Sequence, residues 1–345
     1  MLHESMVDAV GRVPLVKLRL DEQCRGNVYA KLELMNPFGM KDRVAKQIIL
    51  EAKKAGQLKD GAPIVESSSG TMACGIALVG THLGHPVHIV TDPRIDPITM
   101  AKLTSLGCRV YIVDKMNENG WQGARLEKLQ ELLNQYPDAY WPRQYDNPDN
   151  PRAYKELAEE LVADLGHVDI LVASVGSGGS MSGTAAELRR HNPNMRVVAV
   201  DATGSVIFGQ PDRKDRLQSG LGNSLVAANV NHSIVDEVHW LNDEESFAAT
   251  LQLAEREKIF AGNSSGSVYA VARWISTRVN PETKIVALFP DRGDRYVDTI
   301  YSERYRLEKG IHQLRLPDEP LQVSEQCVVH SWSYTQSKGA YAGVR

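Results

Sequence analysis

The feature that most constrains this chain is a repeated unit of short apolar strand, Ser- or Gly-rich turn and helix. Pro63-Ile64-Val65-Glu66 reads as a short buried strand. Ser67, Ser68, Ser69 and Gly70 form a turn, and a helix through Ala77, Leu78 and Leu83 stops at Gly84. The unit recurs as a strand over 86–91, a helix over 97–106 and a strand over 108–113. Strands of about six residues alternating with helices need right-handed crossovers, and those impose a parallel sheet.

A second series follows a stretch rich in Pro, Asn and Asp over 140–151, where the chain crosses between domains. It runs as a helix near 154–165, a strand over 168–175, a glycine-rich turn, a helix over 184–191 and a strand over 196–201. Helices over 246–258 and 265–276 and a buried strand over 284–289 complete it, and periodicity fades after about 307. Ahead of both series, residues 13–19 alternate like an edge strand, and 27–34 form a second strand ending at Asn36-Pro37. Val44, Ile48, Ile49 and Ala52 recur at helical spacing, and Gly56 closes that helix; a further helix spans 121–133. The expected fold is α/β, with two open parallel or mixed-sheet domains and the ligand in the cleft between them, where strand-to-helix loops converge. The larger domain is expected from 1–35 with 147–306, the smaller from 36–146, and a tail from 307–345.

Composition narrows the partners. With 345 residues, 24% of them charged and a net charge of -4, the chain offers no basic stripe for nucleic acid. It has neither an apolar run long enough to span a membrane nor a signal-type N-terminus. Cys24, Cys74, Cys108 and Cys327 lack metal-ligand or CxxC spacing, so no metal is expected and a cytoplasmic location is.

Three strand-to-helix turns carry chemistry. Gly176-Ser177-Gly178-Gly179-Ser180-Met181-Ser182-Gly183 lets consecutive N–H groups face one anion at the positive end of a helix, although such a turn can also be merely tight. It lacks the Lys-Ser/Thr end of a P-loop, yet Asp201 on the next strand keeps a nucleotide reading open. Ser68, Ser69, Gly70, Thr71 and Met72 suit a carboxylate or equally a plain capped loop. Asn36-Pro37-Phe38-Gly39-Met40-Lys41-Asp42-Arg43 places Lys41 at a helix mouth, where the dipole and partial desolvation favour the neutral amine that attacks a carbonyl. Gly262-Asn263-Ser264-Ser265-Gly266 leads into a helix, where the serines are N-caps or more. Pro290-Asp291-Arg292-Gly293-Asp294-Arg295-Tyr296 closes the last strand as a charged turn.

Taken together and in this order, these motifs resemble the cysteine synthase family of pyridoxal-phosphate (PLP) enzymes of fold type II. The resemblance runs from Gly11-Arg12-Val13-Pro14-Leu15 to Tyr296. It implies the cofactor PLP, a covalent bond to Lys41, and cofactor contacts from Thr71, Gly176, Ser177, Gly178, Gly179, Ser180 and Ser264. Substrate contacts are implied for Ser68, Ser69, Gly70, Met72, Gln144 and Gly220. The implied activity is β-replacement on an activated L-serine through an aminoacrylate, in amino-acid biosynthesis, by a homodimer acting on small amino acids. Within the family, the run Val198 to Gly209 and the segment after Asp291 look nearest to the siderophore branch, N-(2-amino-2-carboxyethyl)-L-glutamate synthase, which supplies 2,3-diaminopropionate from O-phosphoserine. Arg125 and Tyr145 lie in segments that share this likeness, and a guanidinium there suits a phosphate or a second carboxylate, or else Arg125 is an exposed helix residue.

The chain departs from the family pattern at several positions. Thr71 stands where the family has Asn and Met72 where it has Thr, the turn before Met40 lacks a serine, and Arg152-Ala153-Tyr154-Lys155 replaces a His-containing run. These bear on the substrate more than on the cofactor. Three other readings remain: a β-elimination lyase releasing pyruvate, a catalytically impaired binding homologue, and a nucleotide enzyme using the glycine turn.

Overall fold

The computed structural model describes residues 2–118 and 120–337. They form two compact units, one from residues up to 11 with 36–153, the other from 12–35 with residues from 154 onward. The chain opens with β1 (Leu15–Lys17) and β2 (Asn27–Lys31) of the second unit. It then runs through the first unit as α1 (Lys41–Lys54), β3 (Ile64–Ser67), α2 (Thr71–His82), β4 (Val87–Thr91), α3 (Pro97–Ser105), β5 (Arg109–Ile112), α4 (Gly120–Gln135) and α5 (Asp149–Arg152). Back in the second unit come α6 (Lys155–Leu165), β6 (Ile170–Ser174), α7 (Gly179–His191), β7 (Arg196–Ala202), β8 (Glu237–Leu241), α8 (Asp243–Glu257) and α9 (Asn263–Ser276). β9 (Lys284–Leu288), α10 (Glu303–Glu308), β10 (Leu321–Gln322) and β11 (Ser333–Gln336) complete it.

The first unit is built on a three-stranded parallel sheet, β3-β4-β5. β3 and β4 are buried and mostly aliphatic, with Glu66 and His88 as polar interruptions, whereas β5 at the edge is half exposed. The other edge is extended by the backbone of Tyr140, which donates to the Pro63 carbonyl and accepts from the Val65 N–H at 2.8 and 2.9 Å. α1 and α2 pack closely: a Cβ on Gly75 would stand 3.1 Å from both the Lys41 carbonyl and Asp42 Oδ1, so a larger residue there would part the helices.

The second unit holds an eight-stranded sheet in the order β1-β2-β9-β6-β7-β8-β11-β10. Strands β2, β9, β6, β7 and β8 run parallel, and β1, at the edge as expected, is antiparallel to β2. The mixed α/β architecture with parallel crossovers is therefore the expected one. α9 is buried along its whole length.

Three elements differ from the sequence expectation. α7 starts at Gly179, five residues before Thr184, because its first turn is mostly glycine and serine and its one apolar residue, Met181, sets no periodicity. β8 is fully buried, but Glu237 and His239 interrupt its apolar pattern. The region after 307 carries β11, which pairs antiparallel with β8 from Ser333↔Trp240 to Gln336↔Glu237. The polar sequence of β11 conceals it; Trp332 just before it holds it, donating its backbone N–H to Glu245 and its indole N–H to His239.

Candidate active site

In the first unit, Lys41 is the first residue of α1, directly after the Pro37-Phe38-Gly39 turn. That turn is fixed by Asp42, a wholly buried carboxylate whose Oδ2 accepts the N–H groups of Phe38 and Gly39 at 2.7 and 3.2 Å. The acid next to the lysine thus ties down the turn that presents it. The packing at Gly75 brings the start of α1 within a helical turn of Thr71, the first residue of α2.

The serine turn that opens α2 is held from both sides. Ser68 donates its backbone N–H to Val90 and accepts the Gly70 N–H on its hydroxyl. Ser69 shares a 2.8 Å hydrogen bond with Thr91 and accepts another of 2.8 Å from Arg125. Gly70 stands in extended conformation at the N-cap, so the first N–H groups of α2 open on the turn. Met72 is buried, and its backbone N–H is the strong donor it can offer an anion.

Arg125, on α4, is directed at this turn rather than exposed on its helix, with its side chain 15% accessible and 3.4 Å from Asp92. Asp92 is also gripped by Arg94 through two 2.9 Å bonds. Burial works against the Asp92 charge, but Arg94 and Arg125 outweigh it and hold the carboxyl below its usual range. Gln144 is buried and Tyr145 partly so, on the turn that follows Tyr140. The Gln144 carbonyl accepts 2.6 Å from Asn150.

In the second unit, the glycine turn leaves β6 and becomes α7. Gly178 caps that helix at φ 82°, and a Cβ there would lie 2.7 Å from the backbone of Val230. Only glycine satisfies both conditions. The first internal bond of α7 runs from Ser182 N–H to the Gly178 carbonyl, so the N–H groups of Gly179, Ser180 and Met181 precede the helical ladder and open at its positive end. Gly176 lies against Gly220, whose carbonyl would be 3.2 Å from a Cβ on Gly176. The 219–222 loop is tied on both flanks, by Gly222 N–H to Val175 and by Ser219 N–H to Asn263 Oδ1.

Ser264 is 1% exposed in the first turn of α9, and a Cβ on Gly220 would lie 3.9 Å from its hydroxyl. Beside it, Asn263 Nδ2 and Ser265 Oγ are buried polar atoms with no hydrogen-bond partner among the described residues. Glycine turn, Gly220 and Ser264 are thus neighbours. Asp201, the acid that kept the nucleotide reading open, is wholly buried with Oδ1 on the N–H of Ala202, closed to a ribose. Burial lifts its carboxyl to about 7.

Sequence reasoning placed Glu66, near the end of β3, only as the first residue of the segment Glu66 to Met72 that resembles the family's carboxylate loop, with no role of its own. It is buried, accepts the Ser67 N–H at 2.8 Å and the Trp141 indole N–H at 3.3 Å, and burial raises its carboxyl to about 7. The available signal was an acid within the apolar run Ile64-Val65-Glu66. Among the described residues no cluster of side chains could hold a metal ion.

The residues present fit a phosphorylated aldehyde: a lysine at one helix start, a Cβ-intolerant turn of open N–H groups at another, and orphan buried donors beside Ser264. Comparison with known proteins points the same way. The family model described as "Pyridoxal-phosphate dependent enzyme" matches residues 6–291. The chain is similar to an O-acetylserine dependent cystathionine beta-synthase from Helicobacter pylori, at 31% identity and a TM-score of 0.80 over 88% of this chain and 100% of that one. A hydrogen sulfide-producing enzyme from Fusobacterium nucleatum matches at 30% identity and a TM-score of 0.81, covering 86% and 98%. An O-ureido-L-serine synthase matches at 29% identity and a TM-score of 0.81, covering 89% and 100%.

Proposed function

Because the chain belongs to the pyridoxal-phosphate dependent enzyme family and is of the cysteine synthase type, we propose that it catalyses β-replacement on an activated L-serine, O-acetyl-L-serine or O-phospho-L-serine, giving a β-substituted alanine. The observation that carries this reading is Ser264, a buried neutral hydroxyl rather than an acid, at the start of α9 beside the glycine turn. It agrees with the serine derivatives named for two of the similar structures.

Bound pyridoxal phosphate supplies an aldehyde that bonds an amine and a ring that accepts electrons, so a Cα–H becomes acidic and a β-substituent can leave. Lys41 Nζ would be the amine that holds the aldehyde and, as a free amine, the base that takes the Cα proton. The N–H groups of Gly179, Ser180 and Met181, with the backbone of Gly176, Ser177 and Gly178, bind the phosphate. Ser264 Oγ would hold the ring nitrogen as a neutral partner that brings no formal charge, which would favour loss of the β-substituent. Thr71 takes the place of the asparagine that faces the ring oxygen. Ser68, Ser69, Gly70, the Met72 N–H and Gln144 bind the substrate carboxylate at the positive end of α2.

Arg125, already bonded to Ser69, gives the leaving group or the second substrate an anion partner, and Tyr145 and Gly220 are proposed as further substrate contacts; the guanidinium is what favours O-phosphoserine and a 2,3-diaminopropionate-type product. Among the described residues no disulfide involves Cys24, Cys74, Cys108 or Cys327, which fits a reducing, cytoplasmic setting, and the working form proposed is a homodimer. Among the described residues no helix is long and apolar enough to cross a membrane.

The test offers O-acetyl-L-serine and O-phospho-L-serine, each with sulfide or L-glutamate, and reads products by mass spectrometry. A β-substituted alanine that forms only when the nucleophile is present is expected. Pyruvate at the same rate with and without nucleophile would make the protein a lyase instead.

A further inference from the structure

Glu66 is an acid in the interior of a small sheet, and every segment it touches belongs to the proposed carboxylate pocket of the first unit. Its Oε1 accepts the N–H of Ser67, the first residue of the serine turn, at 2.8 Å. The same oxygen takes the indole N–H of Trp141 at 3.3 Å. The backbone N–H groups of Gln144 and Arg143 act on the carboxyl as well, drawing its pKa down against the larger effect of burial. Oε2 is buried without a hydrogen-bond partner among the described residues, an arrangement that is costly unless the position is needed.

The backbone explains how these groups meet. Tyr140 pairs with Pro63 and Val65 as an added strand at the edge of β3, so residues 141–144 leave the sheet beside Glu66. Arg143 has φ 55°, a left-handed conformation that turns the chain so that its own N–H and that of Gln144 face the carboxyl. Gln144 is then held at its carbonyl by Asn150 at 2.6 Å. Serine turn and glutamine turn are 75 residues apart in sequence between Ser69 and Gln144, yet one carboxyl sets the position of both.

We propose that Glu66 is the positioning residue of the substrate-carboxylate pocket, the pin that holds the serine turn and the Gln144 turn in register. This rests on the reading that those two turns bind the substrate carboxylate. Glu66 itself touches no substrate. A side chain in this place changes how tightly the amino acid is held, and it leaves the cofactor contacts of the second unit intact.

The experiment uses full-length holoenzyme carrying Glu66→Gln, Glu66→Ala, Trp141→Phe or, as a control on the pocket itself, Gln144→Ala. Two quantities are read: cofactor content from the visible absorbance, and the spectral titration of the bound cofactor with O-acetyl-L-serine and with O-phospho-L-serine. The expected result is full cofactor content with apparent Kd raised at least tenfold in Glu66→Ala and within threefold of wild type in Glu66→Gln, which keeps an acceptor for Ser67 and Trp141. Where kcat can be read, it changes less than KM. Glu66→Ala that binds both amino acids like wild type overturns the proposal. So does Glu66→Gln as impaired as Glu66→Ala, since that would require the charge rather than the acceptor. Should Glu66→Ala not fold, Trp141→Phe decides: a rise of about threefold supports the pin and an unchanged Kd overturns it. An unaffected Gln144→Ala instead removes the pocket reading on which the pin depends, whatever the Glu66 variants do.

Discussion

Asp201 shows how one buried carboxyl ties the folding of this protein to pH. Burial raises its pKa from 3.8 to about 7, although the Ala202 N–H and Ser205 pull the other way. Below 3.8 the group is neutral whether folded or unfolded, and its contribution to stability is fully present. Between 3.8 and about 7 the unfolded chain has released a proton that the folded chain keeps, so that stability is lost as pH rises through the folded value. At about 1.4 kcal/mol per unit the ceiling is about 4 kcal/mol. Asp201→Asn keeps the acceptor for Ala202 and removes the titration. Relative to wild type it should gain about 1–4 kcal/mol between pH 4 and pH 8, read from urea midpoints at the two values. An unchanged difference would mean that the carboxyl is ionised at little cost. Glu66 belongs to the same class, and the two acids share a cause: each is the next-to-last residue of a buried parallel strand.

At the level of elements, what could be read from the sequence follows the kind of signal each element carries. β3, β4, β6 and β9 are apolar runs bounded by turn residues, and their positions agree with expectation to within two residues. The Gly176 to Gly183 turn was legible because glycines at a strand end have few other uses. α7's first turn was not legible, nor was β8, whose Glu237 and His239 pair with one another at 2.8 Å inside the core. Such a pair breaks the hydrophobic pattern without breaking the strand, because burial penalises only polar groups that lack partners. The strand after 307 was hidden for a similar reason: β11 is polar, and its anchor, Trp332, precedes it. His239 and Trp274 pack tilted and edge-on against that anchor, and Tyr334 stacks on His239 beside it. Trp332→Ala should therefore cost about 3–5 kcal/mol of unfolding free energy by urea titration. A loss below about 1 kcal/mol would show that β11 is held by its ladder to β8 alone. Glu66 went unread because its partners, Trp141 and the Gln144 turn, are distant in sequence and reach it only through the edge pairing of Tyr140.

Over the whole molecule, the residues proposed to act fall in both units. Lys41, the serine turn, Arg125 and Gln144 belong to the first, and the glycine turn, Gly220 and Ser264 to the second. With a net charge of -4, the proposed capture of anionic substrates would rest on local features, three helix starts and Arg125, rather than on the field of the protein as a whole. Everything in this account depends on Lys41 holding the cofactor. The direct measurement is borohydride reduction of the purified holoenzyme followed by protease digestion and peptide mass mapping. A pyridoxyl phosphate mass addition is expected on the peptide containing Lys41 and on no other lysine, and it should disappear in Lys41→Ala. An addition on a different lysine, or a wild-type protein that takes up pyridoxal phosphate without any reducible bond, would contradict it.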